Sequence, residues 1–61
     1  MFKTIYICHN GRKFGEQNFK DDITVIPQKG QLIRIKGMPI NCIINYVGLD
    51  YEKGIIQVDV I

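Results

Sequence analysis

The dipeptide Asn10-Gly11 closes a run of alternating character, Phe2 to His9. Phe2, Thr4, Tyr6 and Cys8 share one face of that run, and Lys3, Ile5, Ile7 and His9 share the other. Side chains repeating every second residue are the mark of a strand. Asn-Gly directly after such a run is the strongest short-range hairpin signal, because both turn positions need positive φ. The chain is therefore committed to antiparallel pairing almost from its start. A second, shorter strand is expected at Arg12, Lys13 and Phe14, and Gly15-Glu16-Gln17-Asn18 should break it with turn chemistry.

The same alternation recurs downstream. Phe19 to Asp22 is polar, and Ile23-Thr24-Val25-Ile26 is a short apolar run that Pro27 ends or pushes to a sheet edge. Pro27-Gln28-Lys29-Gly30 reads as a tight turn. A strand over Gln31 to Lys36 puts Ile33 and Ile35 on one face, with Leu32, Arg34 and Lys36 on the other. After a turn at Gly37-Met38-Pro39, Ile40 to Val47 predicts a strand with Ile40, Cys42, Ile44 and Tyr46 on one side. Asn41, Ile43, Asn45 and Val47 take the other side. Gly48 to Gly54 is expected as a loop, and Ile55 to Ile61 as a last strand with Ile56, Val58 and Val60 facing in and Gln57 and Asp59 facing out. No window carries apolar residues at helical spacing beyond one turn.

Composition agrees. Twelve Ile and four Val stand against no Ala, Ser or Trp. β-Branched residues favour the pleated sheet, and the best helix former is missing. Sixty-one residues make one domain, residues 1–61. Short strands in this number are stable only when the sheet closes or packs on itself. The expectation is an all-β domain: an antiparallel meander of five or six strands closing into a Src-homology-3-like barrel, with an OB-type barrel as the alternative.

The stretch Pro27-x-x-Gly30-x-x-Ile33-x-Ile35-x-Gly37 leads into a hydrophobic strand, a loop and a terminal strand. It resembles small Src-homology-3-like barrel proteins of phages and their bacterial hosts. The resemblance covers about the last 35 residues. It implies a small barrel that acts by contact with another macromolecule, as an inhibitor made by a phage or mobile element does.

The residues offer little for catalysis. There is no Ser, and Cys8 and His9 are strand neighbours that point to opposite faces. Cys42 could meet His9 across strands, but no third orienting group is evident. Asp21-Asp22 and Asp50-x-Glu52 read as polar turn residues, and one His with two distant Cys does not make a zinc site. Neither an enzyme nor a cofactor or metal is expected. Cys8 and Cys42 should be buried thiols in a reducing compartment, and a disulfide would require neighbouring strands with facing side chains. No apolar run approaches the ~18 residues that span a bilayer, and Met1-Phe2-Lys3-Thr4 does not begin a signal peptide. A cytoplasmic location without membrane contact is expected.

Binding is left. A net charge of +2 is modest for a phosphate binder. Yet Arg12, Lys13, Arg34 and Lys36 would form one basic patch if their strands were neighbours, and otherwise a solvated face. The apolar surplus points further. A barrel has one interior, so Ile43, Val47, Ile55 and Ile61, opposite the inward set, should be covered by a second copy in a homo-oligomer, most simply a dimer. The leading expectation is a non-enzymatic, oligomeric small barrel engaging a host or phage protein. A nucleic-acid-binding barrel and a binder of a small ligand or nucleotide between protomers are the alternatives.

Overall fold

A computed structural model describes all residues, Met1–Ile61, as five strands without a helix. They are β1 (Thr4–His9), β2 (Arg12–Asn18), β3 (Leu32–Ile33), β4 (Cys42–Asp50) and β5 (Ile55–Val60). The all-β expectation holds. Asn10 and Gly11 turn the first hairpin with φ of 51° and 77°, as an Asn-Gly turn requires.

The strands lie in the order β2-β1-β5-β4-β3. Three ladders are antiparallel, but β1 and β5 run parallel, with Ile5 opposite Ile56 and Ile7 opposite Val58. The sheet is therefore mixed and curls into a half-barrel, where a meander would be antiparallel throughout. The reason lies in burial. Strands β1 and β5 carry the apolar sets Ile5, Ile7 and Ile56, Val58, Val60, and the centre of the sheet shields them best.

Strand β2 runs through Gly15 to Asn18, where the sequence suggests a turn. Gly15 serves packing here. A Cβ on it would stand 3.2 Å from Ile35 Cδ1 and 3.6 Å from Ile7 Cβ, so a larger residue would push Ile35 back by a few tenths of an ångström. A bulge precedes it: Ile7 pairs with Gly15 and Cys8 with Lys13, which leaves Phe14 unpaired and exposed.

The expected strand over Gln31 to Lys36 shrinks to Leu32–Ile33. Its remainder folds into a turn, with the Met38 amide donating to the Ile35 carbonyl and Gly37 at φ 92°. That turn plugs the open side of the half-barrel. Ile35 and Met38 are buried there, and the Lys36 amide donates to Gln17 Oε1 on β2 at 2.9 Å. The connection from β2 to β3 crosses the concave face from one edge to the other. It is tied by Ile23 N–H to the Phe2 carbonyl and Gly30 N–H to the Ile44 carbonyl, with Ile23 and Ile26 against the core.

Strand β4 begins two residues later than expected, leaving Ile40 exposed, and continues through Gly48 to Asp50. It carries a second bulge. Ile44 pairs with Val60 and Tyr46 with Asp59, so Asn45 is extra and the alternation shifts by one. Val47 thereby turns to the core side, where it packs against the cluster of Ile7, Ile44, Ile56 and Val58. Only eleven of 61 residues are buried, so each core side chain carries a large share of the stability.

Candidate functional site

Two regions gather side chains that the core does not use. The first lies at the end of the half-barrel reached by the β1–β2 turn. A cavity of about 550 Å³ there is lined by His9, Arg12, Lys13, Phe14, Cys42, Val60 and Ile61. Its floor is apolar and its hairpin side is basic. Phe14 reaches it because the bulge frees that residue from the ladder. From Ile61 the apolar surface continues across the sheet. The Ile61 amide donates to the Ile43 carbonyl, and Ile43 pairs with Leu32. All three are exposed: Ile61 74%, Ile43 48% and Leu32 65%.

The second region is the convex sheet face. Register places Lys13, Cys8, Asp59 and Tyr46 in one row across four strands. Asp59, expected to face solvent, does leave the core but is only 4% exposed. Its neighbours in the row cover it. Interaction with the Asp59 carboxylate raises the Tyr46 phenol above its ordinary value. Asp59 Oδ2 is buried without a partner. Lys13 lies 4.2 Å over the Tyr6 ring and donates to Glu16 at 2.9 Å, and the bond to Glu16 holds its ammonium protonated above the usual range.

Of the four predicted cations, two are engaged within the chain. Arg12 and Lys13 stand on β2, and Arg34 and Lys36 lie in the turn after β3, which folds back onto β2 at Gly15 and Gln17. Arg34 Nη1 donates to the Met38 carbonyl at 3.4 Å, and Lys13 is held by Glu16. Among the predicted interface residues, Ile43 and Ile61 come together on an exposed surface. Val47 does not join them, because the Asn45 bulge turns it inward. Ile55 is half-buried at the far end of β5, opposite Thr4 and Asp50.

The two cysteines are free and lie on opposite sides of the sheet, Cys8 in the convex row and Cys42 against the core. Burial, and then the charge of Asp59, push the Cys8 thiol up, with Lys13 pulling weakly the other way. A raised thiol pKa leaves less thiolate at any given pH, and thiolate is the species that reacts. In native protein near neutral pH, an alkylating reagent should modify half-buried Cys42 faster than buried Cys8. Mass mapping of the first adduct checks this, and equal rates at the two sites would contradict the burial of Cys8.

Sequence reasoning missed Phe14, Leu32 and Tyr46 as surface anchors. Phe14 was legible only as part of a short strand, since a bulge has no sequence signal of its own. No helix is long and apolar enough to cross a membrane. No protein-family model, curated protein or solved structure matches the chain.

Proposed function

We propose that this chain is a non-enzymatic binding module, a small self-associating half-barrel that engages another protein. The setting we infer is a phage or mobile element acting on a host protein. That setting rests on the resemblance of the Pro27–Gly37 stretch and on the small size of the domain. The observation that carries the protein-binding reading is the continuous apolar surface at one end of the fold. Its Phe14 end, beside His9 and Arg12, takes the partner, and the row of Ile61, Ile43 and Leu32 that continues from it is the self-association face. An apolar centre with a polar rim is the anatomy of a protein interface. The basic rim favours a partner segment that carries an apolar anchor among acidic residues. The nucleic-acid alternative ranks second, because Lys13 is already paired with Glu16 and Arg34 donates to the Met38 carbonyl.

The test is affinity capture from nuclease-treated host lysate with three baits: wild type, Phe14→Asp, and the double variant Arg34→Glu, Lys36→Glu. Phe14 is exposed, so its substitution leaves the core intact. A partner held by wild type and by the double variant, and lost with Phe14→Asp, is the expected result. Loss with the double variant alone would move the site to the turn after β3. Capture by wild type that is seen from a parallel untreated lysate and lost after nuclease treatment would favour nucleic acid.

A further inference from the structure

The convex face holds a second groove, at the opposite end of β5 from the barrel-end cavity. Its volume is about 370 Å³; Tyr6, Tyr46, Leu49 and Ile55 form its apolar part, and Gly48, Asp50, Lys53 and Gln57 complete it. Tyr6, Gln57 and Gly48 form one row across β1, β5 and β4. Tyr6 and Tyr46 thus stand on strands two ladder steps apart, roughly 10 Å between backbones.

Both rings are braced. Lys13, held by Glu16, sits over Tyr6, and register sets Tyr46 directly beside the buried Asp59. Braced rings are preorganised surfaces for stacking.

Gly48 supplies the sharper clue. It lies in mid-strand, its φ is not in the left-handed region, and a Cβ added to it would meet no atom within 4 Å. Neither the backbone nor the packing of the chain calls for glycine there. A mid-strand glycine weakens a strand and marks places where another molecule approaches the backbone closely.

The polar groups at the groove differ in kind. Gln57 offers an amide that both donates and accepts. Asp50 accepts the Lys53 amide at 3.0 Å through Oδ1, leaving Oδ2 for other donors. The Lys53 ammonium takes part in neither of the two ion pairs of the structure, which join the N-terminal amine to Asp22 and Lys13 to Glu16. An aliphatic ligand would use none of these groups.

We propose that this groove binds a nucleotide. The base stacks on the tyrosines over the bare backbone of Gly48, where a side chain would block it. Gln57 reads the edge of the base, as side-chain amides do. Asp50 accepts from the sugar hydroxyls, and Lys53 meets the phosphate. A free nucleotide and a residue of a single strand share this chemistry. The site is independent of the protein-binding surface.

The test is titration of isotope-labelled protein, followed by backbone amide NMR, with AMP, adenosine and a short single-stranded oligoadenylate. Saturable shifts centred on Gly48, Gln57 and Lys53 are expected. Gly48→Val, a residue well suited to a strand, should fold and lose the shifts. Tyr46→Leu should weaken binding by about fivefold to a hundredfold. Lys53→Gln, in an exposed turn, should weaken AMP while leaving adenosine unchanged, a pattern that a folding defect cannot produce. Oligoadenylate binding about tenfold tighter than AMP, and falling steeply with salt, identifies a strand as the source. Binding no tighter than AMP identifies the free nucleotide. Absence of saturable shifts at these amides with AMP and oligonucleotide alike overturns the proposal. A folded Gly48→Val protein that binds as wild type does so too.

Discussion

Replacing Ile56 with Ala should unfold most of the molecules at 37 °C, while Val25→Ala should pass almost unnoticed. Ile56 has no exposed surface, stands on the central strand β5, and pairs with Ile5 on one side and Leu49 on the other. Removing three carbons from such a site costs about 2–5 kcal/mol, because the neighbours only partly collapse into the gap. A core this small rarely supplies more than roughly 3–5 kcal/mol in total. The loss and the margin are thus of one size, and each kcal/mol lowers Tm by about 4–8 °C in a domain of this length. Val25 is 80% exposed, and substitutions at such positions stay within about 0.5 kcal/mol. Thermal unfolding of the two variants followed by circular dichroism checks the contrast. Comparable Tm values for both would mean that β5 is not the centre of the core.

The two central strands were legible because both alternate without interruption and every inward residue is Ile or Val. Local pattern sufficed there. The pairing of β1 with β5 was not legible. It joins the two ends of the chain, and alternation says which face is buried but not which strand lies alongside. Glycine was the main source of misreading. Gly15 and Gly48 look like the turn glycines Gly11 and Gly30, yet they sit within strands, the first for crowding and the second over open space. Only spatial neighbours distinguish these uses. The Asn45 bulge cost one site residue. Two-residue periodicity carried through position 45 sets Val47 beside Ile43, and one extra residue reverses that. The barrel-end surface was half legible: Arg12, Lys13, Ile43 and Ile61 were on the page as separate features. What joins them is the curl of the sheet.

Self-association through that surface should be visible as a dimer whose Tm rises with protein concentration. Leu32, Ile43 and Ile61 lie in one row across β3, β4 and the end of β5. A twofold axis through the row sets it against its own copy, so six apolar side chains leave water together. Each is worth about 1.5–3 kcal/mol when fully buried. Against this stand ~4–15 kcal/mol for lost translational and rotational freedom. The balance is narrow, so the dimer is sensitive to one substitution, which symmetry applies twice. Ile43→Lys places two ammonium groups in the centre of the contact, where a buried unpaired charge is strongly unfavourable. That variant should sediment as a monomer and melt at a temperature independent of concentration. Val47→Ala is the informative control. Val47 faces the core, so its truncation should lower Tm and leave the dimer in place. Ile55→Ala, at the far end of β5, should also remain dimeric. Sedimentation equilibrium at protein concentrations on the order of tens of micromolar, a range typical of moderate affinity, decides among these. A monomeric wild type would sink the self-association, and an Ile43→Lys protein that still dimerises would place the contact elsewhere. Loss of the dimer in Val47→Ala at unchanged stability would mean that Val47 belongs to the contact, against the inward turn that the bulge at Asn45 gives it.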